Sequence, residues 1–392
     1  MNKNRPLKVL FQSRLDLFDY KGGDTNQIME TKKALESLGV KVDIDLSLSP
    51  DLSNYDLVHI FNLDWVCEPY FQIKNAKKQN KPIVFSPIHH SLKEFENYEK
   101  NCRYGLARIG NFIIQNQALR DNFRNILKGL IYTKKLYPAI YQFFYGIRNA
   151  QRYCLRNSNY VLVQTDLEEK DLKKDFSVQD FKCTKVVNGV NLQEFTKISE
   201  NLNLPKNIKD NLSNFIYSVG RIEPRKNQLN LIKAFLQLKK EDSSKYRNLS
   251  LFFSGAFNSH HPTYNSKFKK LLNENRDCIF HTGFISQQDL SYLFSKCKVY
   301  IVPSWFETTG LTFLEAAYCG AKSLVASGER TKEYLEDNAL YCDPSKIQDI
   351  KVRLQEALNK NTVLNDLKKE VENKYTWEIA AKDTLKVYNL LK

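Results

Sequence analysis

The 392-residue sequence contains no apolar run long enough to cross a bilayer, which takes about 20 consecutive apolar residues as a helix. It has no Cys-x-x-Cys pair, no short internal repeat and no low-complexity tract. Without paired cysteines neither a zinc ribbon nor a disulfide framework is indicated, and the eight cysteines, each standing alone, read as buried thiols. A secretory leader is not expected either. Lys3, Arg5 and Lys8 are followed only by the short run Val9-Leu10-Phe11. These absences lead to the expectation of a cytoplasmic protein. Acid is the other scarcity: 44 Asp and Glu stand against 59 Lys and Arg, a net charge of +15. Such an excess asks for an acidic partner, which could be nucleic acid, anionic lipid or a phosphate-bearing substrate.

What is present is ordinary globular material, 42% hydrophobic and 12% aromatic, which argues against disorder. The length exceeds what one core comfortably fills, so two domains are expected. In the first half Leu7–Phe11 reads as a strand, Gly22-Gly23 as a loop, and Ile28, Thr31, Ala34, Leu35 and Leu38 as one face of a helix that Gly39 stops. Val40–Ile44 follows as a second strand. Residues 57–61, 83–86 and 160–163 continue the strands, a loop centred on Asn188-Gly189 follows Thr184-Lys185-Val186-Val187, and the polar stretch from 196 to 212 suits a linker. The second half restarts with a strand at 215–219 and a helix at 228–238, then strands at 249–253, 278–280 and 299–302. The expected fold is α/β, two doubly wound Rossmann-like domains facing each other across a cleft. The expected boundaries are residues 1–197 for the first domain and 198–375 for the second, with a last helix at 376–392 crossing back.

Two segments of the second half carry chemistry. Val299 to Ala317 runs from a strand through a loop holding Glu307, Thr309 and Gly310 into a helix that carries Glu315. A helix start beside strand ends offers unpaired backbone N–H groups and a positive dipole end, both suited to phosphate. Alone, the glutamates would read as a dipole-favoured charge and a solvated helix residue. The other segment, Ser218 to Gln228, places Gly220 after a strand and Arg221 and Lys226 at the approach to a helix. Cations there oppose the helix dipole unless an anion joins them.

Together these elements resemble the retaining, sugar-nucleotide-dependent glycosyltransferases of the GT-B fold, specifically glycosyltransferase family 4. The resemblance rests on Glu307 and Glu315 with seven residues between them, and on Gly220-Arg221 with Lys226 five residues after the arginine. Asn188-Gly189-Val190 with Phe195, the run from His281 to Ile285, and Tyr375-Thr376-Trp377-Glu378 are weaker echoes. The resemblance implies an enzyme of the hexosyltransferase type (EC 2.4) that serves polysaccharide or glycolipid synthesis. Arg221 and Lys226 would bind the donor diphosphate, and backbone N–H groups near Thr309, Gly310 and Leu311 would hold the same phosphates. Glu307 would contact the sugar and Glu315 the ribose, with Phe284 and Ile285 beside the base. It implies a nucleotide-diphosphate sugar as co-substrate, no cofactor, no metal, and a glycan or lipid-linked acceptor. Where the family loop usually reads Glu, small residue, aromatic, Gly, this chain has Glu307-Thr308-Thr309-Gly310, which points to a different sugar preference.

In the first half, Gly22 and Gly23 match the glycine loop that the resemblance places near the diphosphate. Either His89 or His90 occupies the position of a histidine that contacts the transferring sugar. Asp43-Ile44-Asp45 has metal-binding spacing but ends a strand, and reads as a coincidence. From Lys100 to Arg156 eleven bases stand against one acid, Asp121. Leu119, Phe123, Ile126, Leu127, Leu130 and Ile131 make an apolar face there, with Arg120, Arg124 and Lys128 alongside. Two readings stay open: the face packs in the first domain beneath a solvated basic rim, or it docks on an anionic membrane as a peripheral segment. The alternatives to the enzyme are a basic nucleic-acid-binding protein, which leaves the Glu and Arg-Lys elements unused, and a catalytically inactive GT-B homologue. No nucleic acid is expected.

Overall fold

The computed structural model describes residues 5–20, 22–102, 116–196, 202–360 and 364–392. They form two compact units. The described residues of 1–92, 110–189 and 377–392 make the first, and those of 93–109 and 190–376 the second.

The first unit is built on a six-stranded sheet, parallel throughout, in the order β2-β1-β3-β4-β5-β6. The strands are β1 (Lys8–Gln12), β2 (Lys41–Ile44), β3 (Leu57–Phe61), β4 (Ile83–Ser86), β5 (Tyr160–Val163) and β6 (Cys183–Lys185). Helices fill the crossovers: α1 (Gly23–Ser37), α2 (Cys67–Lys78), α3 (Leu92–Cys102), α4 (Gln117–Ile131), α5 (Leu136–Tyr145), α6 (Ile147–Asn157) and α7 (Asp166–Phe176). Apolar side chains on both faces of a strand are what a helix-covered parallel sheet requires, and β3 is buried along its whole length. One face packs Leu10, Ile60 and Phe85 with Ile73 of α2 and Leu172 of α7; the other packs Val9, Phe11 and Val42 with Ile28 of α1 and Tyr388. Tyr388 lies on the last helix, Trp377–Asn389, which belongs to this unit. Helix α7 shows why its boundary falls where it does. Thr165 caps it by accepting from the Glu168 N–H at 3.0 Å, acids fill its first turn, and Lys173 and Lys174 fill its last.

The second unit has its own six-stranded parallel sheet in the order β12-β11-β10-β7-β8-β9. Its strands are β7 (Phe215–Val219), β8 (Ser250–Ser254), β9 (Ile279–His281), β10 (Val299–Ile301), β11 (Leu324–Ala326) and β12 (Leu340–Tyr341). Two of its helices matter below, α8 (Gln228–Glu241) and α9 (Leu311–Tyr318). Strand β12 has only two residues, too few to show a pattern, whereas β11 is an apolar run as long as β9 and β10 that the sequence reading did not pick out. Helix α3, though it follows β4 in sequence, groups with the second unit beyond Leu92. Its Phe95, Tyr98 and Cys102 pack on Trp305 and Phe306 of the loop after β10. Val190 donates to the Tyr375 carbonyl at 2.8 Å, so the two segments where the chain passes between units run side by side.

Helix α4 corrects one of the two expectations for the basic region. Its apolar face is turned outward, with Leu119, Phe123, Leu127, Leu130 and Ile131 exposed, while Arg120 and Asn122 are buried. Arg103 and Arg108, counted among the eleven bases, lie outside the described residues.

Candidate functional site

An open parallel sheet offers its ligand crevice where the strand order reverses, beyond the carboxyl ends of the two strands that flank the reversal. In the second sheet those strands are β7 and β10. The loops leaving them carry the motifs singled out in the sequence. After β7 the chain passes through Gly220, Arg221 and a single 3₁₀ turn, Pro224–Lys226, before α8. After β10 it runs through Ser304 and Glu307 to Gly310, which starts α9. The Trp305 N–H donates to the Arg225 carbonyl at 2.9 Å and joins the two loops.

Two glycines make this junction possible. A Cβ on Gly255, just after β8, would lie 2.2 Å from the Gly220 carbonyl oxygen, so only glycine lets the two backbones meet. Gly310 has φ +72°, and a Cβ there would press on Thr331 and Phe313 at 3.0 and 3.1 Å. No side chain caps α9, so nothing from a side chain satisfies its first N–H groups.

The charges converge on Glu307. Lys226 Nζ donates to Glu307 Oε1 at 2.5 Å, and Ser304 Oγ donates to the same oxygen at 2.5 Å. Arg225 Nη1 lies 3.7 Å from the other oxygen and pairs with Glu223 at 3.2 Å. Arg221 reaches Glu223 at 3.6 Å with its side chain 44% exposed. Burial alone would raise the Glu307 carboxyl, but Lys226 and Arg225 outweigh it and hold Glu307 at about 2. Burial lowers the Lys226 ammonium, against the pull of Glu307 and with the push of Arg225. Glu315, one turn into α9, is pushed up to about 7 by burial; Glu194 adds to this and Lys226 opposes it. Three bases face two carboxylates in this ion-pair network. The excess is positive, which suits an anion.

Of the expected residues, Gly220, Arg221, Lys226, Glu307, Thr309, Gly310, Leu311 and Glu315 therefore lie on the two neighbouring loops that leave β7 and β10 and on the helix that follows the second. The position of Lys226 has a simpler cause than the one inferred from sequence, because Glu307 already balances it. Phe284 and Ile285 lie on the loop after β9, at the sheet edge, with Phe284 88% exposed. Sequence reading missed Arg225, Glu223 and Ser304. Arg225 stood between two residues that were assigned roles, and nothing in its spacing marked it as the one that would bridge two carboxylates. Phe95 and Tyr98 were beyond reach, because they join this loop from the opposite half of the sequence.

In the first unit the corresponding reversal falls between β1 and β3, and Gly22 and Gly23 start α1 on the connection that leaves β1. There Arg14 pairs with Asp24 at 2.8 Å and with Asp16 at 2.9 Å, and Lys135 reaches Asp16 at 2.7 Å and Glu68 at 3.2 Å. The two histidines after β4 part company. His89 is fully buried, with Nδ1 at 2.5 Å from Asp64 and Nε2 at 3.0 Å from Asp175. Both its ring nitrogens are engaged by carboxylates, so it positions its neighbours and cannot meet a ligand. His90 is partly exposed, with its backbone N–H 3.0 Å and its Nδ1 3.1 Å from the other Asp64 oxygen. Ile88, just before them, has φ +49°, an uncommon conformation for a β-branched residue and one that costs of order 1–3 kcal/mol. The loop is held in a shape that the backbone alone would not choose. Asp43 and Asp45 accept from Tyr55 and from the Ser47 N–H. Among the described residues no group of three or more His, Cys, Asp or Glu is arranged to hold a metal ion.

The fold class is that of the GT-B glycosyltransferases. Sucrose-phosphate synthase from Thermosynechococcus elongatus superposes with a TM-score of 0.70 at 16% identity, over 98% of this chain and 99% of that one. Anabaena HepE in complex with UDP and glucose gives 0.65 at 13%, over 98% and 100%. Residues 194–374 match the family described as glycosyl transferases group 1, so the chain carries a domain of that family. The serotype-specific mannosyltransferase WbdA of Escherichia coli is 28% identical over 194 residues, 47% of this chain and 23% of that protein. The O-antigen chain mannosyltransferase B of Escherichia coli is 25% identical over 181 residues, 44% of this chain and 45% of that protein. The matched region thus spans less than half the length of either relative.

Proposed function

We propose that this protein transfers a sugar from a nucleotide-diphosphate donor to a glycan or lipid-linked acceptor during cell-surface polysaccharide synthesis. We assign it to glycosyltransferase family 4, with retention of the anomeric configuration. The observation that carries the reading is the Arg221–Arg225–Lys226–Glu307 network at the reversal of the second sheet, beside an uncapped helix start. In this reading Arg221, Lys226 and the N–H groups near Thr309, Gly310 and Leu311 hold the diphosphate. They stabilise the negative charge that grows on it as the glycosidic bond breaks, so charge neutralisation comes from side chains rather than a metal ion. Glu307, kept ionised and fixed by Lys226 and Ser304, takes a sugar hydroxyl, and Glu315 takes the ribose hydroxyls. Phe284 and Ile285 flank the base. Gly22 and Gly23 line the diphosphate and acceptor side, and His90 rather than His89 contacts the transferring sugar.

The mannosyltransferase relatives and the UDP-bound neighbour together make mannose and glucose the first sugars to test. A thermal-shift panel of nucleotide-activated mannose and glucose should show stabilisation by one donor. Transfer of the matching radiolabelled sugar to membrane-extracted acceptor should follow. No shift with any sugar nucleotide would refute the assignment, and a shift without transfer would mark an inactive homologue.

A further inference from the structure

Helices α4 and α5 present to solvent the face that a protein normally hides. Leu119, Phe123, Leu127 and Ile131 recur every fourth residue along α4 and are all exposed, Ile131 to 75%. Across the bend at Thr133–Lys135, Tyr137, Ile140 and Phe144 continue the stripe on α5, with Phe144 83% exposed. The two helices pack together through the Phe123 and Phe143 rings, 5.7 Å apart. An open groove of about 720 Å³ runs beside the stripe, lined chiefly by Leu136, Tyr137, Ile140, Tyr141, Phe144 and Tyr145.

This orientation is built in. Lys135 is buried and paired with Asp16 and Glu68, the Lys128 ammonium sits 3.7 Å over the Trp65 ring, and Arg120 is buried. Turning α4 to hide its apolar face would pull these cations from their partners. The bases that remain at the surface border the stripe. Lys134 is exposed between the two helices, Lys74 is exposed beside the groove over Tyr70 and Tyr141, and Arg124 pairs with Asp121, the one acid between residues 100 and 156. Leu, Ile and Phe flanked by tyrosine and lysine is the composition that sits at the boundary between headgroups and acyl chains. Among the described residues no helix is long and apolar enough to cross a membrane.

We propose that α4 and α5 dock the protein on an anionic lipid bilayer, with the apolar stripe in the acyl boundary and Lys74 and Lys134 among the headgroups. Because most bases of the segment point inward, apolar burial supplies most of the affinity. Binding should therefore outlast salt that screens charge, unlike that of a polybasic patch. The surface is independent of the transfer chemistry, and its test reads binding alone.

The full chain is sedimented with vesicles of phosphatidylcholine containing one third phosphatidylglycerol, at low and at molar salt. Wild type should pellet in both. The double variant Leu127→Asp, Ile131→Asp should bind about a hundredfold more weakly with an unchanged circular dichroism spectrum. Lys134→Glu should weaken binding only about fivefold. Failure of wild type to pellet at low salt, or loss of binding at high salt, would overturn the proposal. So would equal pelleting of the double variant, or a wild-type dimer that the double variant turns to monomer without vesicle binding.

Discussion

The two sheets reverse their strand order at corresponding places, yet the crevices there are charged in different ways. In the first unit Arg14, Lys135 and the nearby Lys128 meet Asp16, Asp24 and Glu68, and the network is balanced within itself. Arg14 is held above its ordinary value, with burial opposing and Asp24 and Asp16 prevailing. In the second unit three bases face two carboxylates, and Arg221 stays half exposed. A balanced network braces a loop, whereas one with excess positive charge at an uncapped helix start is prepared for an anion. Sheet topology alone would have made both reversals equal candidates for a phosphate site. Charge accounting separates them.

Four experiments sharpen or break that contrast, the largest expected effect first. Glu307→Gln keeps the shape of the side chain while removing the charge that fixes Lys226. It should cut the turnover rate by about a hundredfold to a thousandfold, beyond the stability lost with the Lys226 ion pair, as read by transfer assay on protein that calorimetry shows to be folded. Activity within a fewfold of wild type would detach Glu307 from the chemistry. His89→Ala should cost about 2–4 kcal/mol in urea unfolding, because it takes from Asp64 and Asp175 the ring that joins them, leaving His90 and the Leu92 N–H as their remaining partners. His90→Ala should instead lower transfer at unchanged stability; the reverse outcome would exchange their roles. Arg221→Ala should raise the donor KM about tenfold, while Arg14→Ala should lower stability and leave donor binding in place. A larger donor effect from Arg14 would move the anion site to the first unit.

The smallest effect concerns Glu315. Its folded value of about 7 lies above the ordinary 4.5, so the folded state keeps a proton that the unfolded state has released. The stability this contributes is complete below about pH 4.5 and is lost as pH rises through about 7. Glu315→Gln should therefore flatten the decline in unfolding free energy between about pH 5 and pH 8. An unchanged slope would show that Glu315 is better solvated than its surroundings imply.

Much of this was legible along the chain. The nine strands read from apolar runs all exist, with bounds within a residue of those expected, because a strand buried on both faces is marked by composition alone. The crevice residues from Gly220 to Lys226 and from Glu307 to Glu315 were legible too, since loops that follow strands carry their signal locally. Strand β12, two residues long, and the joining of α3 to the loop after β10 left no local trace.

By itself, then, the sequence determined the alternation of elements, the two sheets, the positive charge and the pair of motifs, all of which depend on neighbours a few residues apart. The tertiary structure decided that Arg225 shares Glu307 with Lys226, that His89 is buried while His90 is partly exposed, and that Arg120, Lys128 and Lys135 of α4 and the turn after it face inward. Each of these depends on a partner brought from far along the chain: Asp175 lies 86 residues from His89, and Asp16 and Glu68 come to Lys135 from other loops. Amphipathic periodicity tells which residues share a face, but only those distant partners tell which face is buried.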